Sequence, residues 1–300
     1  AQLTDWVLEL AILPNRGDCL SMIGIAREVA ALTGKTLKMP DLDPDFSGPG
    51  PTFPLEIESS DVCPYYCGMW VDRVTSVPTP MVMQRRLQLV GIKPISFVVD
   101  VTNYVMMELG QPMHAFAGDR LDMIQGVQIR SAKNGETFTG LDGAEKSLRP
   151  EDCVIDSNGK AIALAGVMGG LDSGVTPDTS SFFLESGMFD PVSVRRTAQY
   201  HGLRTESSIR FEKGVDGLRV ASAAQRVAVL MQAIIPDMRC YSIATVGALP
   251  AKLPQLRCDF QSINALLGSD FSVEDMTRVL QRLGFHFSDD AENVTVPSWR

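Results

Sequence analysis

The sequence predicts an α+β fold, a mixed-sheet central domain flanked by small helix-containing domains. Three observations predict it: short apolar segments punctuated by Asn-Gly and Asp-Gly pairs fill residues 55–185, helical spacing marks both ends, and a proline-rich stretch sets the first end apart. The expected divisions are residues 1–40, a linker over 41–54, a central domain over 55–250, and a further small unit over 251–300.

At the start, residues 1–40 read as strand, turn, helix: Asp18 suits an N-cap, Ile23, Ala26, Val29 and Ala30 recur at helical spacing, and Gly34 suits a C-terminal stop. Between Pro40 and Pro54 stand five prolines, two glycines and three aspartates, which is linker chemistry. Residues 55–57 and 69–74 then read as strands, and Pro80 opens a helix to Val90 with Met83, Leu87 and Val90 on one face. Residues 97–101 form a short apolar run. Further short strands are expected at 127–129, 137–141, 153–156, 161–167 and 182–185, with turns at Asn134-Gly135, Asp142-Gly143 and Asn158-Gly159. Asp190-Pro191 starts a helix and 218–235 supplies a long one. In the last unit Ser272 and Asp275 cap a helix through Leu283, closed by Gly284. The end of the chain, TVPSWR, echoes LAILPNR at residues 10–16, so a repeat broken at Arg300 predicts a piece of a longer chain.

Composition narrows the functions open to such a fold. A 45% hydrophobic content supports a full core, while the longest apolar runs, such as 162–168, fall far short of the ~20 residues of a membrane span. No membrane partner is expected. Residues 1–9 carry Asp5 and Glu9 and lack a basic leader, so a cytoplasmic protein is expected. Six cysteines without a Cys-x-x-Cys pair, beside three histidines, predict buried thiols and no metal site. A net charge of −9 argues against a domain that grips a nucleic-acid backbone unaided. The densest basic stretch, from Arg195 and Arg196 through Arg204 to Arg210, suits a few phosphates or a solvated face.

Several residues invite a functional reading beside a plain one. Glu185 ends an apolar strand, where a carboxylate can cap the helix after Asp190 or pair with Arg196. His114 falls in a loop between Gly110 and Phe116, where a histidine serves packing as readily as chemistry. Gly169 and Gly170 suit a close ligand approach or a simple turn, and Asn103 suits a substrate contact or an Asx turn.

Longer stretches carry a resemblance: LPNRGDCL at 13–20 with GIAREVA at 24–30, VDVTNY at 99–104 running to ELGQPMHAF at 108–116, AGVMGG at 165–170, FLES at 183–186 and RFEKGVD at 210–216. Together they resemble the β subunit of bacterial phenylalanyl-tRNA synthetase across nearly the whole chain. The resemblance implies that 1–40 is the tail of the first β-subunit domain, that 55–250 is the editing domain, and that 251–300 begins the small helical domain after it. It implies proofreading: an apolar phenylalanine pocket rejects a substrate with one added hydroxyl by only ~100-fold, so a second site must hydrolyse Tyr-tRNA(Phe). Within that site it assigns Glu185 to recognition of the tyrosyl phenol and His114 to the scissile ester, as the catalytic pair. Lys93, Asn103, Gly169, Gly170, Thr205 and Ser207 are the implied substrate-binding residues. Lys93 stands where the family has arginine and Ser207 where it has alanine, and Ala117-Gly118 replaces the usual pair after the His-Ala-Phe motif. The alternatives are a scaffold that has lost editing and a free-standing editing hydrolase. The resemblance further implies a tetramer of two α and two β subunits, contact with the acceptor end of tRNA(Phe), and no cofactor in this piece. ATP and magnesium belong to the full assembly, and aminoacylation to the α subunit.

Overall fold

The computed structural model describes residues 5–288 and 293–300. Residues 1–4, part of the stretch read for a leader, and residues 289–292 lie outside it.

The first ordered element is α1 (Met22–Thr33), preceded by a 3-10 turn at Gly17–Cys19. Its N-cap is Ser21, whose Oγ accepts from the Gly24 N–H at 3.1 Å, and not the expected Asp18. Asp18 lies inside the 3-10 turn, where Arg16 holds its carboxylate at 3.0 Å. Gly34, at φ 70°, closes α1 as the pattern predicts. No strand forms among the described residues before it. The segment after α1 lies against the central sheets, with Phe46 bridging Cys240 and Ser47 N–H donating to the Cys240 carbonyl at 2.8 Å.

The central unit contains β1 (Leu55–Ile57), β2 (Tyr65–Asp72), α2 (Met81–Leu89), α3 (Phe97–Leu109), β3 (Met113–Ala117), β4 (Val127–Ser131), β5 (Thr137–Thr139), β6 (Glu145–Ser147), β7 (Cys153–Ser157), β8 (Lys160–Leu164) and β9 (Met168–Gly169). It continues through β10 (Ser181–Met188), α4 (Pro191–Tyr200), α5 (Glu206–Phe211), α6 (Arg219–Gln232), β11 (Arg239–Cys240) and β12 (Ala244–Gly247). One sheet runs β11-β2-β10-β3, all antiparallel, with β12 also pairing with β2. The other runs β1-β4-β7-β8-β9 and is mixed, because β1 joins β4 in parallel. The architecture is α+β, as expected.

Alternation along the antiparallel sheet sorts its side chains into two cores. Phe182 and Leu184 of β10, with Met69, Val71 and Ala115, pack on Phe97, Val101 and Val105 of α3 and on Ala223, Val227 and Met231 of α6. Phe183, Tyr66 and Phe116 point the other way, onto Ile129, Ile155 and Leu164 of the mixed sheet. Each such fully buried side chain contributes ~1.5–3 kcal/mol of hydrophobic stabilisation. The apolar run at 97–101 is therefore the first turn of a helix: Phe97, Val101, Val105 and Leu109 bury one stripe at four-residue spacing. Gly110, at φ 84°, ends it, with its N–H on the Met106 carbonyl.

The last unit comprises β13 (Gln255–Arg257), α7 (Phe260–Leu267), α8 (Val273–Arg282), β14 (His286–Phe287) and β15 (Asn293–Thr295), in the strand order β13-β15-β14. Ser272 caps α8 by accepting from the Asp275 N–H at 3.1 Å. The unit meets α1, where Arg300 donates to Glu28 at 2.6 Å.

Candidate active site

Glu185 occupies the middle of β10, flanked in register by Gly68 of β2 and His114 of β3. Directly opposed residues of an antiparallel pair share a face, so the carboxyl and the imidazole point together toward the mixed sheet. Gly68 offers no side chain on the other flank, and a Cβ there would overlap the Phe183 ring. Glu185 is only 6% exposed and has no side-chain hydrogen bond or ion pair among the described residues. Burial pushes its pKa up to about 8. It neither pairs with Arg196 nor caps α4. That cap is Asp190, which accepts from the Ser193 N–H at 2.7 Å.

His114 lies on β3 and not in a loop, because residues 113–117 pair with β10. Its ring meets Phe116 edge-on at 4.6 Å, and its Nε2 is buried without a hydrogen-bond partner. Burial lowers its pKa to about 4, so the imidazole is neutral at physiological pH. Gly169 makes this position possible, since a Cβ there would run into the His114 ring.

Between the two sheets these groups open on a cavity of about 90 Å³, walled by Met113, Leu164, Met168 and Phe211. The loop after β8 forms its rim. Gly166 takes φ 69°, and the hydroxyl of Ser207 donates to its carbonyl at 3.0 Å. The Thr205 hydroxyl donates to the Val167 carbonyl at 2.8 Å and, as N-cap of α5, accepts from the Ser208 N–H at 3.0 Å. Both hydroxyls are therefore spent on fixing the rim.

The structure brings His114, Glu185, Gly169 and Ser207 to one cavity and sets Thr205 behind its rim. Gly170 faces a neighbouring cleft of about 540 Å³ lined also by Arg120, Ser157 and Lys160. Lys93 is exposed in the loop before α3, and Asn103 lies on α3 in the helical layer; neither lines the cavity. Residue-by-residue reading gave no role to Pro112, Met113 or Phe211, although all three fall within the motifs quoted above. It also passed over Tyr66 and Gln111, whose Oη and Oε1 are buried without partners near this end of β10. Gln111 Nε2 donates to the Gly187 carbonyl at 2.8 Å.

Among the described residues, the cluster whose donor atoms could gather on a cation is Asp18, Cys19 and Glu28. Arg16 and Arg300 already hold its carboxylates. That donor set does not fit magnesium.

The family model of the B3/4 domain matches residues 62–236, which include both sheets' central strands and the Glu185–His114 cavity. The model of the tRNA synthetase B5 domain matches residues 256–300. The chain is thus a B3/4-domain protein of the tRNA-synthetase type. It is 41% identical over its whole length to the phenylalanine–tRNA ligase beta subunit of Oleidesulfovibrio alaskensis, covering 38% of that protein. Against the beta subunits of Bacillus cereus and Halalkalibacterium halodurans it is 40% and 41% identical, covering 99% of this chain and 37% of each relative. A solved N-terminal fragment of the phenylalanyl-tRNA synthetase beta subunit from Pyrococcus horikoshii aligns loosely, at 14% identity and a TM-score of 0.42 over 96% of this chain and 80% of that one. The chain belongs to the bacterial phenylalanine–tRNA ligase β-subunit family and spans a little over a third of those relatives' length. No helix among the described residues is long and apolar enough to cross a membrane.

Proposed function

We propose that the cavity between the sheets is a proofreading site that hydrolyses the ester of Tyr-tRNA(Phe). The observation that carries this reading is a buried, unpartnered Glu185 carboxyl facing an apolar cavity beside a neutral His114.

With a pKa about 8, Glu185 is mostly protonated at pH 7. Its carbonyl oxygen accepts the phenol O–H of a tyrosyl group, and its own O–H donates to the phenol oxygen. A phenylalanyl group leaves both bonds unmade, at a cost of roughly 1–3 kcal/mol, or about ten- to hundredfold in rate. At about 90 Å³ the cavity is smaller than the ~150 Å³ hole that takes benzene in an engineered core. Entry of the ring therefore requires the rim at Gly166–Gly169 or the Met168 side chain to swing outward.

Hydrolysis proceeds without a covalent intermediate. His114 Nε2 accepts a hydrogen bond from a water, orienting its oxygen toward the ester carbonyl. The new C–O bond forms, the bond to the terminal ribose oxygen breaks, and the water's proton finishes on that oxygen. Free tyrosine and deacylated tRNA result. The acceptor end of tRNA(Phe) reaches the cavity past Gly169 and Gly170, where the neighbouring cleft gives it room. Lys93 and Asn103 act, in this reading, on tRNA outside the cavity. The chain works within an assembly with the α subunit, to which ATP and magnesium belong.

The test is deacylation of preformed Tyr-tRNA(Phe) and Phe-tRNA(Phe) by the chain and by Glu185→Ala, beside spontaneous hydrolysis. Selective loss of the tyrosyl ester, made unselective by the substitution, is expected. Equal hydrolysis of both esters by the unaltered chain would sink the assignment.

A further inference from the structure

A second cavity, of about 150 Å³, lies where four parts of the chain meet: the start of α1, the end of α3 at Leu109 and Gly110, the loop between α5 and α6, and the final residues Ser298, Trp299 and Arg300. Gly17 lets the parts close up, since a Cβ there would stand 2.7 Å from the Lys213 carbonyl oxygen.

The charges lining it do not balance. Arg27, Lys213, Arg219 and Arg300 face Asp18 and Asp216. Asp18 is matched by Arg16 at 3.0 Å and Arg300 at 4.0 Å, and Asp216 by Arg219 at 3.6 Å. Arg27 and Lys213 have no acidic partner in an ion pair among the described residues. Arg27 is 8% exposed, its guanidinium stacks over the Trp299 indole at 4.0 Å, and its Nη2 is buried with no hydrogen-bond acceptor. A buried cationic donor without an acceptor is strongly unfavourable: burial first, then repulsion from Arg219, lowers the Arg27 pKa, and the attraction of Asp216 and Asp18 only partly offsets this. The ends of α1, at Ser21, and of α3, at Gly110, both reach the rim with opposed dipoles and decide nothing.

We propose that this junction binds a phosphate-type oxyanion, held by Arg27 and Lys213 and closed in by Trp299 and Arg300. The cations arrive from three directions. A planar carboxylate suits the fork of a single arginine, whereas a tetrahedral dianion can be reached from several sides at once. A cavity of only about 150 Å³, with its one aromatic face already taken by Arg27, favours a small free anion, inorganic phosphate or a phosphate monoester, over an RNA backbone. Binding would tie the last unit to α1 and to the α5–α6 loop.

Calorimetric titration of the full chain with inorganic phosphate, at ionic strength held constant with chloride, tests the site. Saturable one-site binding is expected, weakened about tenfold by Lys213→Gln and more by Arg27→Gln, with the exposed control Lys35→Gln unchanged. Lys213 is partly exposed, so its variant reports even if the Arg27 variant does not fold. Three results would overturn the proposal: no saturable binding; binding equally insensitive to Lys213→Gln and Lys35→Gln, which marks an adventitious ion only; or a Lys213→Gln effect confined to tRNA binding. None of these bears on hydrolysis at the Glu185 cavity.

Discussion

Replacing Glu185 by glutamine keeps the shape of the side chain and removes its titration, which isolates the energetic consequence of burying the carboxyl. The folded pKa is about 8 against an ordinary 4.5. Between those values the folded chain keeps a proton that the unfolded chain has lost, so stability falls as pH rises, by ~1.4 kcal/mol per unit, and levels off above about 8. Across the whole window the loss is on the order of 5 kcal/mol. His114 has the opposite sign: its pKa drops from 6.5 to about 4, so its contribution is present above 6.5 and lost as pH falls through the window toward 4. Above pH 6.5 the histidine is neutral in both states, and only the carboxyl remains. From pH 6.5 to 8 the stability of Glu185→Gln relative to the unaltered chain should therefore rise by ~2 kcal/mol and then stay constant. Urea unfolding at pH 6.5, 7.2, 8 and 9, followed by tryptophan fluorescence, measures it. A difference that stays flat from 6.5 to 8 would refute a neutral, desolvated Glu185, and with it the reciprocal bond to a phenol.

Gly169→Ala should push the His114 ring aside and lower Tyr-tRNA(Phe) deacylation at least tenfold, with a stability cost of ~1–3 kcal/mol and an unchanged circular-dichroism spectrum. The pH–rate profile of deacylation should show no inflexion near 6.5 from His114, which stays neutral down to about 4, and a break near 6.5 would contradict its burial. Thr205→Val removes both the α5 cap and the tether on the Val167 carbonyl; a loss of ~1–2 kcal/mol in urea unfolding is expected, together with raised hydrogen exchange at residues 166–169. His114→Ala should abolish deacylation while preserving tRNA binding in a filter assay.

What could be read from the sequence, and what could not, divides along a physical line. Strand β10 was legible because its apolar residues and flanking turn residues are local signals, and α4 and α8 because Asp190 and Ser272 cap them through bonds three residues away. The helical nature of 97–101 was missed because an apolar run of five fits a buried strand equally; only the stripe continued by Val105 and Leu109 distinguishes the two. Asp18 and Ser21 are both competent caps, and the choice fell to Ser21 once Arg16 claimed the aspartate. The site illustrates the same limit more sharply. Glu185 and His114 were singled out by resemblance, but their adjacency is a matter of register between β10 and β3, and no local pattern encodes register between strands far apart in the chain. Gly68 is the clearest case: as a lone glycine in a strand it looks like a weakness, yet its missing side chain leaves the flank of Glu185 to the Phe183 ring, away from any polar partner. An ordinary side chain there would displace that ring, so the packing beside Glu185 is set by a residue whose contribution is the side chain it lacks.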